Sequence, residues 1–103
     1  MSAEHEVAKL KDLPPGELLR VDVGGKPICL ARLLSGSVHA IGDTCTHEQE
    51  SLSDGYLDGE DVECPLHASR FNVHTGDVEG LPADIPVATF TVRMDGESIF
   101  VEV

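Results

Sequence analysis

The chain has 103 residues, 41% of them hydrophobic, which suits a single domain with one modest core and excludes a disordered composition. Tryptophan is absent and only 4% of residues are aromatic, so that core has to rest on Val, Leu and Ile. A formal net charge of −12 disfavours nucleic acid and anionic lipid and favours a basic protein surface as partner, with plain solubility as the alternative reason for the acidity.

The opening MSAEHEVAKLKDLPPG has no apolar run, so neither a signal peptide nor an anchor is expected. No later stretch approaches the ~20 apolar residues of a membrane span. Three cysteines without an export signal argue against a disulfide framework and for a reduced, cytoplasmic setting.

No amphipathic helix is apparent; apolar residues alternate with period two instead. In ELLRVDV, Leu19, Val21 and Val23 share one face against Leu18, Arg20 and Asp22. Gly24-Gly25 reads as a tight hairpin turn, because both positions tolerate positive φ. PICLARL is the return strand, with Cys29, Ala31 and Leu33 on one face. A turn at Ser35-Gly36 leads to a short strand ending near Ile41. Residues 42–63 are too polar and Gly-rich for a core strand and read as a long functional loop. VATFTVRM then alternates Ala88, Phe90, Val92 and Met94 against Val87, Thr89, Thr91 and Arg93. Asp95-Gly96 is a second hairpin signal, and SIFVEV sets Ile99, Val101 and Val103 on one face. Short strands punctuated by Gly and Pro imply an all-β sandwich or barrel.

Chemistry concentrates in residues 45–67. Cys45, His47, Cys64 and His67 form C-x-H, sixteen intervening residues, then C-x-x-H. Each half is a two-ligand chelate on a turn; Pro65 would stiffen the second, and Gly42 would permit the approach to the first. Structural zinc favours Cys pairs and His pairs at short spacing, whereas each half here combines one Cys with one His. That mixture lets the two Cys converge on one metal and the two His on another, as in a two-iron centre where His₂ replaces Cys₂ on one iron. Chance clustering in a core is a weak alternative, because both His stand in polar turns.

CTH…CPLH, together with SLSDGYLDGEDVECPLH, RFNVHTG and GLPADIPV, resembles the Rieske [2Fe–2S] signature. Over nearly its whole length the chain resembles the small Rieske-type ferredoxins of bacterial aromatic-ring-hydroxylating dioxygenase systems. The resemblance implies an all-β fold: a Rieske-type antiparallel β-sandwich base, 1–41 and 84–103, with an inserted cluster-binding subdomain of loops and short strands, roughly 42–83. It implies Cys45 and Cys64 as thiolate ligands of the inner iron. His47 and His67 would hold the outer iron through Nδ1, with Nε2 turned to solvent or a partner. GLPAD, 80–84, would help cover the cluster.

Two ferric ions, two sulfides, two thiolates and two neutral imidazoles sum to zero charge, so such a cluster is reduced more easily than a Cys₄ one. Within the family, high-potential relatives carry a disulfide between the two ligand loops; the matching positions here are Glu50 and Leu66. They also carry a Tyr where this chain has Phe71, while the Ser that donates to the cluster is retained as Ser69. The resemblance therefore implies a soluble, low-potential carrier of one electron, passing it from a flavin-dependent ferredoxin reductase to a terminal oxygenase in aromatic hydrocarbon catabolism. It would not itself be an enzyme, since His5, His39 and His74 lie on unrelated segments and offer no mononuclear iron site. A Rieske-like small subunit of a larger reductase such as nitrite reductase, and a zinc-stabilised interaction module, are the alternatives. Cys29 is expected as a buried thiol, His39 and His74 as surface residues, Tyr56 as loop packing, and the loop carboxylates as a solvated face without the pattern of a calcium loop.

Overall fold

The structure, a computed structural model, describes residues 3–46, 50–65, 69–80 and 85–103. Ten strands follow in chain order: β1 Glu4–Lys9, β2 Leu18–Val23, β3 Lys26–Arg32, β4 Val38–Gly42, β5 Tyr56–Asp58, β6 Asp61–Glu63, β7 Arg70–Asn72, β8 Val78–Gly80, β9 Thr89–Asp95 and β10 Ser98–Glu102. Two single-turn 3₁₀ segments, Leu10–Asp12 and Leu52–Asp54, complete the described elements, and none of them is an α-helix. All pairings are antiparallel, in a six-stranded sheet ordered β1-β10-β9-β4-β3-β2 and a four-stranded sheet ordered β5-β6-β7-β8.

The large sheet curls until β1 lies near β2, enclosing a core of Ile28, Leu30, Ala40, Ile99 and Val101. Leu19, Val21 and Val23 face it as the alternation predicts, and so do Phe90 and Val92. The base is thus one sheet closing over its own core. Strand β3 is apolar on both faces for a physical reason: Ile28 and Leu30 point into this core, while Cys29, Ala31 and Leu33 point the other way, into a second apolar cluster beneath the small sheet. Gly24 (φ 58°) and Gly25 (φ 80°) make the β2–β3 turn, as expected for a two-residue hairpin of mirror-image type.

Three expectations need correction. Residues 42–63 are not simply a loop: they include a 3₁₀ turn and the β5–β6 hairpin, with Leu52 and Val62 fully buried. A three-residue strand turns only one apolar side chain inward, too few to show a period. β7 and β8 escape notice for the same reason; β1 does so because only Val7 and Ala8 of its six residues are apolar, and it is held largely by backbone pairing to β10 with a bulge between Glu6 and Ala8. Strand β9 begins at Thr89 rather than Val87, because the Val87 N–H donates to the Gly76 carbonyl and its side chain joins the second cluster. Gly42 lies in a strand where an added Cβ would meet only the Ala88 nitrogen at 3.9 Å, an ordinary contact.

Two positions do demand glycine: Gly55, where an added Cβ would fall 1.9 Å from the Glu63 carbonyl oxygen, and Gly76, at φ 76°, where it would fall 2.1 Å from the Val87 carbonyl oxygen. The second contact stitches the β7–β8 turn to the segment leading into β9. Gly76→Ala should therefore cost about 2 kcal/mol or more, read as a lower denaturation midpoint. Gly42→Ala should stay within about 1 kcal/mol of the wild type.

Candidate metal centre

Two loops follow β4 and β6, and their described arms are built alike. After β4, Thr44 bridges Ser51, and the Cys45 N–H donates to the Glu50 carbonyl at 2.9 Å. After β6, the Cys64 N–H donates to the Ser69 carbonyl at 2.7 Å, and β7 starts at Arg70. In each case the cysteine amide is tied to the carbonyl five residues on, so four residues span the closed tip. His47 lies within the first tip and His67 within the second. C-x-H and C-x-x-H thus differ by one position inside the same frame. His47 and His67, like residues 81–84 of the expected covering segment, lie outside the described residues.

The two thiols share one apolar cluster. Cys45 is 3% exposed and Cys64 1%, packed with Leu52, Val62, Phe71 and Val73 from the small-sheet side and with Ile41 and Cys29 from the large sheet. None of the three cysteines forms a disulfide. Two soft donors brought into one water-excluding cluster, each on a loop with a His in its tip, are a donor set that fits an iron–sulfur cluster with mixed ligands. Cys29 proves to be a wall of the same cluster, which its strand alternation alone could not show. Burial, and secondarily the Asp43 carboxylate, push its thiol far above the ordinary range, so it stays protonated.

Asp43 is the residue that sequence reasoning missed, having counted it with the solvated carboxylates. It is 1% exposed. Its Oδ1 accepts the Ser53 N–H at 2.9 Å, its Oδ2 accepts the Ser51 hydroxyl, and the Arg20 Nη1 lies 3.8 Å from Oδ2. Its own N–H donates to the Pro27 carbonyl at 3.2 Å, and its carbonyl accepts the Leu52 N–H at 2.6 Å. The available signal was the pair of short hydroxyl residues, Ser51 and Ser53, placed to meet a carboxylate just before the first Cys.

Ser69 and Phe71 are both fully buried beside the second loop. The Thr46 hydroxyl donates to the Ile85 carbonyl at 2.6 Å, tying the first loop to the chain that leads into β9. Asp54, Asp58 and Glu60 are exposed as expected, whereas Tyr56 is 63% exposed rather than packed in the loop. His39 and His74 are not isolated: their rings meet edge-on with centroids 4.3 Å apart, and His74 Nε2 contacts Glu60. Burial, then the neighbouring His74, holds His39 below the usual imidazole range. Arg70, the one Lys or Arg between residues 33 and 92, is matched by Asp58 at 2.6 Å and Asp61 at 3.7 Å.

An all-β domain with paired, amide-closed Cys loops over a common apolar cluster is the architecture of a two-iron centre, and the chain belongs to the family described as the Rieske [2Fe-2S] domain, which it matches over residues 3–91. Its cofactor is accordingly a [2Fe–2S] cluster, which sets the zinc alternative aside. The chain is 43% identical over 91 residues to the ferredoxin component of biphenyl 2,3-dioxygenase from Rhodococcus jostii (strain RHA1), covering 88% of this chain and 84% of that one. Among solved structures it is similar to the ferredoxin of carbazole 1,9a-dioxygenase from Nocardioides aromaticivorans IC177, with a TM-score of 0.91, 38% identity and 96% of each chain covered. It is also similar to a chain in the complex of reduced oxygenase and oxidized ferredoxin in carbazole 1,9a-dioxygenase, with a TM-score of 0.88, 38% identity, and 94% of this chain and 99% of that one covered. The chain is an electron-transfer protein of this kind rather than a catalytic subunit. No helix among the described residues is long and apolar enough to cross a membrane.

Proposed function

We propose that this chain is the soluble, cytoplasmic, low-potential ferredoxin of an aromatic-ring-hydroxylating dioxygenase system. It takes one electron from a flavin-dependent ferredoxin reductase and delivers it to a terminal oxygenase. Cys45 and Cys64 hold one iron, and His47 and His67 hold the other. The observation that carries this reading is the shared burial of the two thiols at the feet of two loops closed in the same way, each with a His in its tip. The solved complex of an oxygenase with its ferredoxin supports the partner, and the biphenyl and carbazole relatives support the pathway class. The separate hydrogen bonding of the two sheets supports a division into a base, 1–41 and 84–103, and a cluster-binding part, roughly 42–83.

When bound, the cluster stores and releases a single electron. The chain's own part is to keep water from the thiols, through Leu52, Val62 and Phe71, and to present the loop tips to a partner. The test is anaerobic purification with iron and sulfide analysis and an electron paramagnetic resonance spectrum of the reduced protein. Two iron, two sulfide and a g average below that of Cys₄ clusters are expected. A colourless protein with one zinc would reject the assignment.

The low potential has its own check. A hydroxyl that donates to a cluster sulfur is favoured more after reduction, when the acceptor is more negative. Hydrogen bonds to charged groups contribute about 1.5–3 kcal/mol, so Ser69→Ala should lower the potential by at most about 65–130 mV in a dye-mediated titration. An unchanged value would leave the low potential to Phe71 and the missing disulfide.

A further inference from the structure

We infer that Asp43 is a positioning residue for the first ligand loop and, with Arg20 as its counter-charge, a fixed buried charge that holds the potential of the centre down. The inference rests on the assignment of Cys45 as a ligand.

The geometry comes first. Asp43 ties together three pieces of chain: the end of β4, the start of β3 and the returning arm of the loop. Its backbone N–H is bonded to Pro27 at the start of β3 in the large sheet. Its carbonyl and both carboxylate oxygens are bonded to Ser51, Leu52 and Ser53, the returning arm of the loop. Two residues farther on, the Cys45 amide closes the tip on Glu50. Whatever fixes Asp43 fixes the place from which Cys45 departs.

The charge comes second. Among the described residues the carboxylate meets a backbone N–H, a hydroxyl and a guanidinium. At 1% exposure water does little to screen it, whereas Arg20 is about half exposed and offsets only part of the charge. Two residues of chain place its Cα at most about 7 Å from that of Cys45. The same carboxylate already raises the Cys29 thiol on the facing wall, so its field reaches the apolar cluster that holds Cys45 and Cys64. A negative charge there opposes the arrival of an electron.

The two substitutions should then act with opposite signs. Asp43→Asn keeps the shape: its amide oxygen can still accept the Ser53 N–H, and its amide nitrogen can donate to Ser51, whose hydroxyl turns to Ser53 at 3.0 Å. With the charge gone, the reduction equilibrium should shift about tenfold or more toward the reduced form, which is about 59 mV more positive for one electron. Arg20→Gln uncovers the carboxylate and should shift the equilibrium the other way, by about threefold because the pair is half exposed. A merely structural role would not give opposite signs.

Both variants and the wild type are titrated with dye mediators at low salt, with iron, sulfide and the paramagnetic spectrum measured on the same samples. Opposite shifts with the spectrum retained support the inference. Shifts of one sign, or none, with the cluster intact overturn it. If Asp43→Asn fails to load, Arg20→Gln decides alone: a fall supports the inference and an unchanged potential overturns it. Wild-type protein without iron and sulfide would instead overturn the ligand assignment itself, and this inference with it.

Discussion

Cys64→Ser should give a colourless protein that has lost both iron and both sulfide and melts about 10–20 °C below the wild type. Cys64 links the end of β6 to the start of β7 through its amide, and its side chain lies in the cluster that joins the two sheets. A serine there is a far poorer ligand for iron and leaves a hydroxyl in an apolar wall, so the metal's contribution to folding is lost along with the metal. Cys45→Ser should behave alike. Cys29→Ser is the control. Its thiol is buried in the same cluster and remains protonated, so the variant should keep its colour and its spectrum while losing about 1–3 kcal/mol for the buried hydroxyl. Iron analysis, visible absorbance and thermal melts distinguish the three. Loss of colour in the Cys29 variant with retention in the Cys64 variant would reverse the assignment.

Electron transfer to the oxygenase, measured at limiting protein concentration, should slow about tenfold or more as salt rises from about 0.01 M to about 0.15 M, because the screening length falls from about 30 Å to about 8 Å. Residues 42–83 contain ten Asp and Glu against a single Arg or Lys, and that one, Arg70, is already paired with Asp58. The half of the molecule that carries the loops therefore meets a partner almost entirely with negative charge. Neutralising Glu48, Glu50 and Asp54 to their amides should flatten the salt dependence while leaving the potential of the isolated protein nearly unchanged. Rapid-mixing kinetics over the salt series checks both points. A rate indifferent to salt would reduce the acidity to a solubility device.

The His39–His74 contact and the burial of Cys29 show how far strand patterns carry. Each residue was assigned to a plausible strand or turn, but its neighbours come from segments that lie far apart in the chain. β4 supplies His39 while the turn after β7 supplies His74, and β3 supplies Cys29 while the loops after β4 and β6 supply Cys45 and Cys64. Alternation shows which way a side chain points relative to its own strand, not what covers it.

By itself the sequence determined the all-β class and the two hairpin turns, and it pointed to the proposed donor set. Those signals are local: period-two alternation, a Gly-Gly pair, and two short Cys/His spacings. Only the tertiary structure decided which carboxylate leaves water, which glycines have no substitute and which thiol walls the cluster. Asp43 looks no different from Asp54 in the sequence, yet the returning arm of its loop closes over it and supplies donors, and its own N–H reaches the Pro27 carbonyl at the start of β3, whereas Asp54 stays exposed. Gly76 is required because Val87, eleven residues away, brings its carbonyl to 2.1 Å from where a Cβ would stand. Burial is a property of what the rest of the chain lays on top of a residue, and it is decided when the two sheets pack.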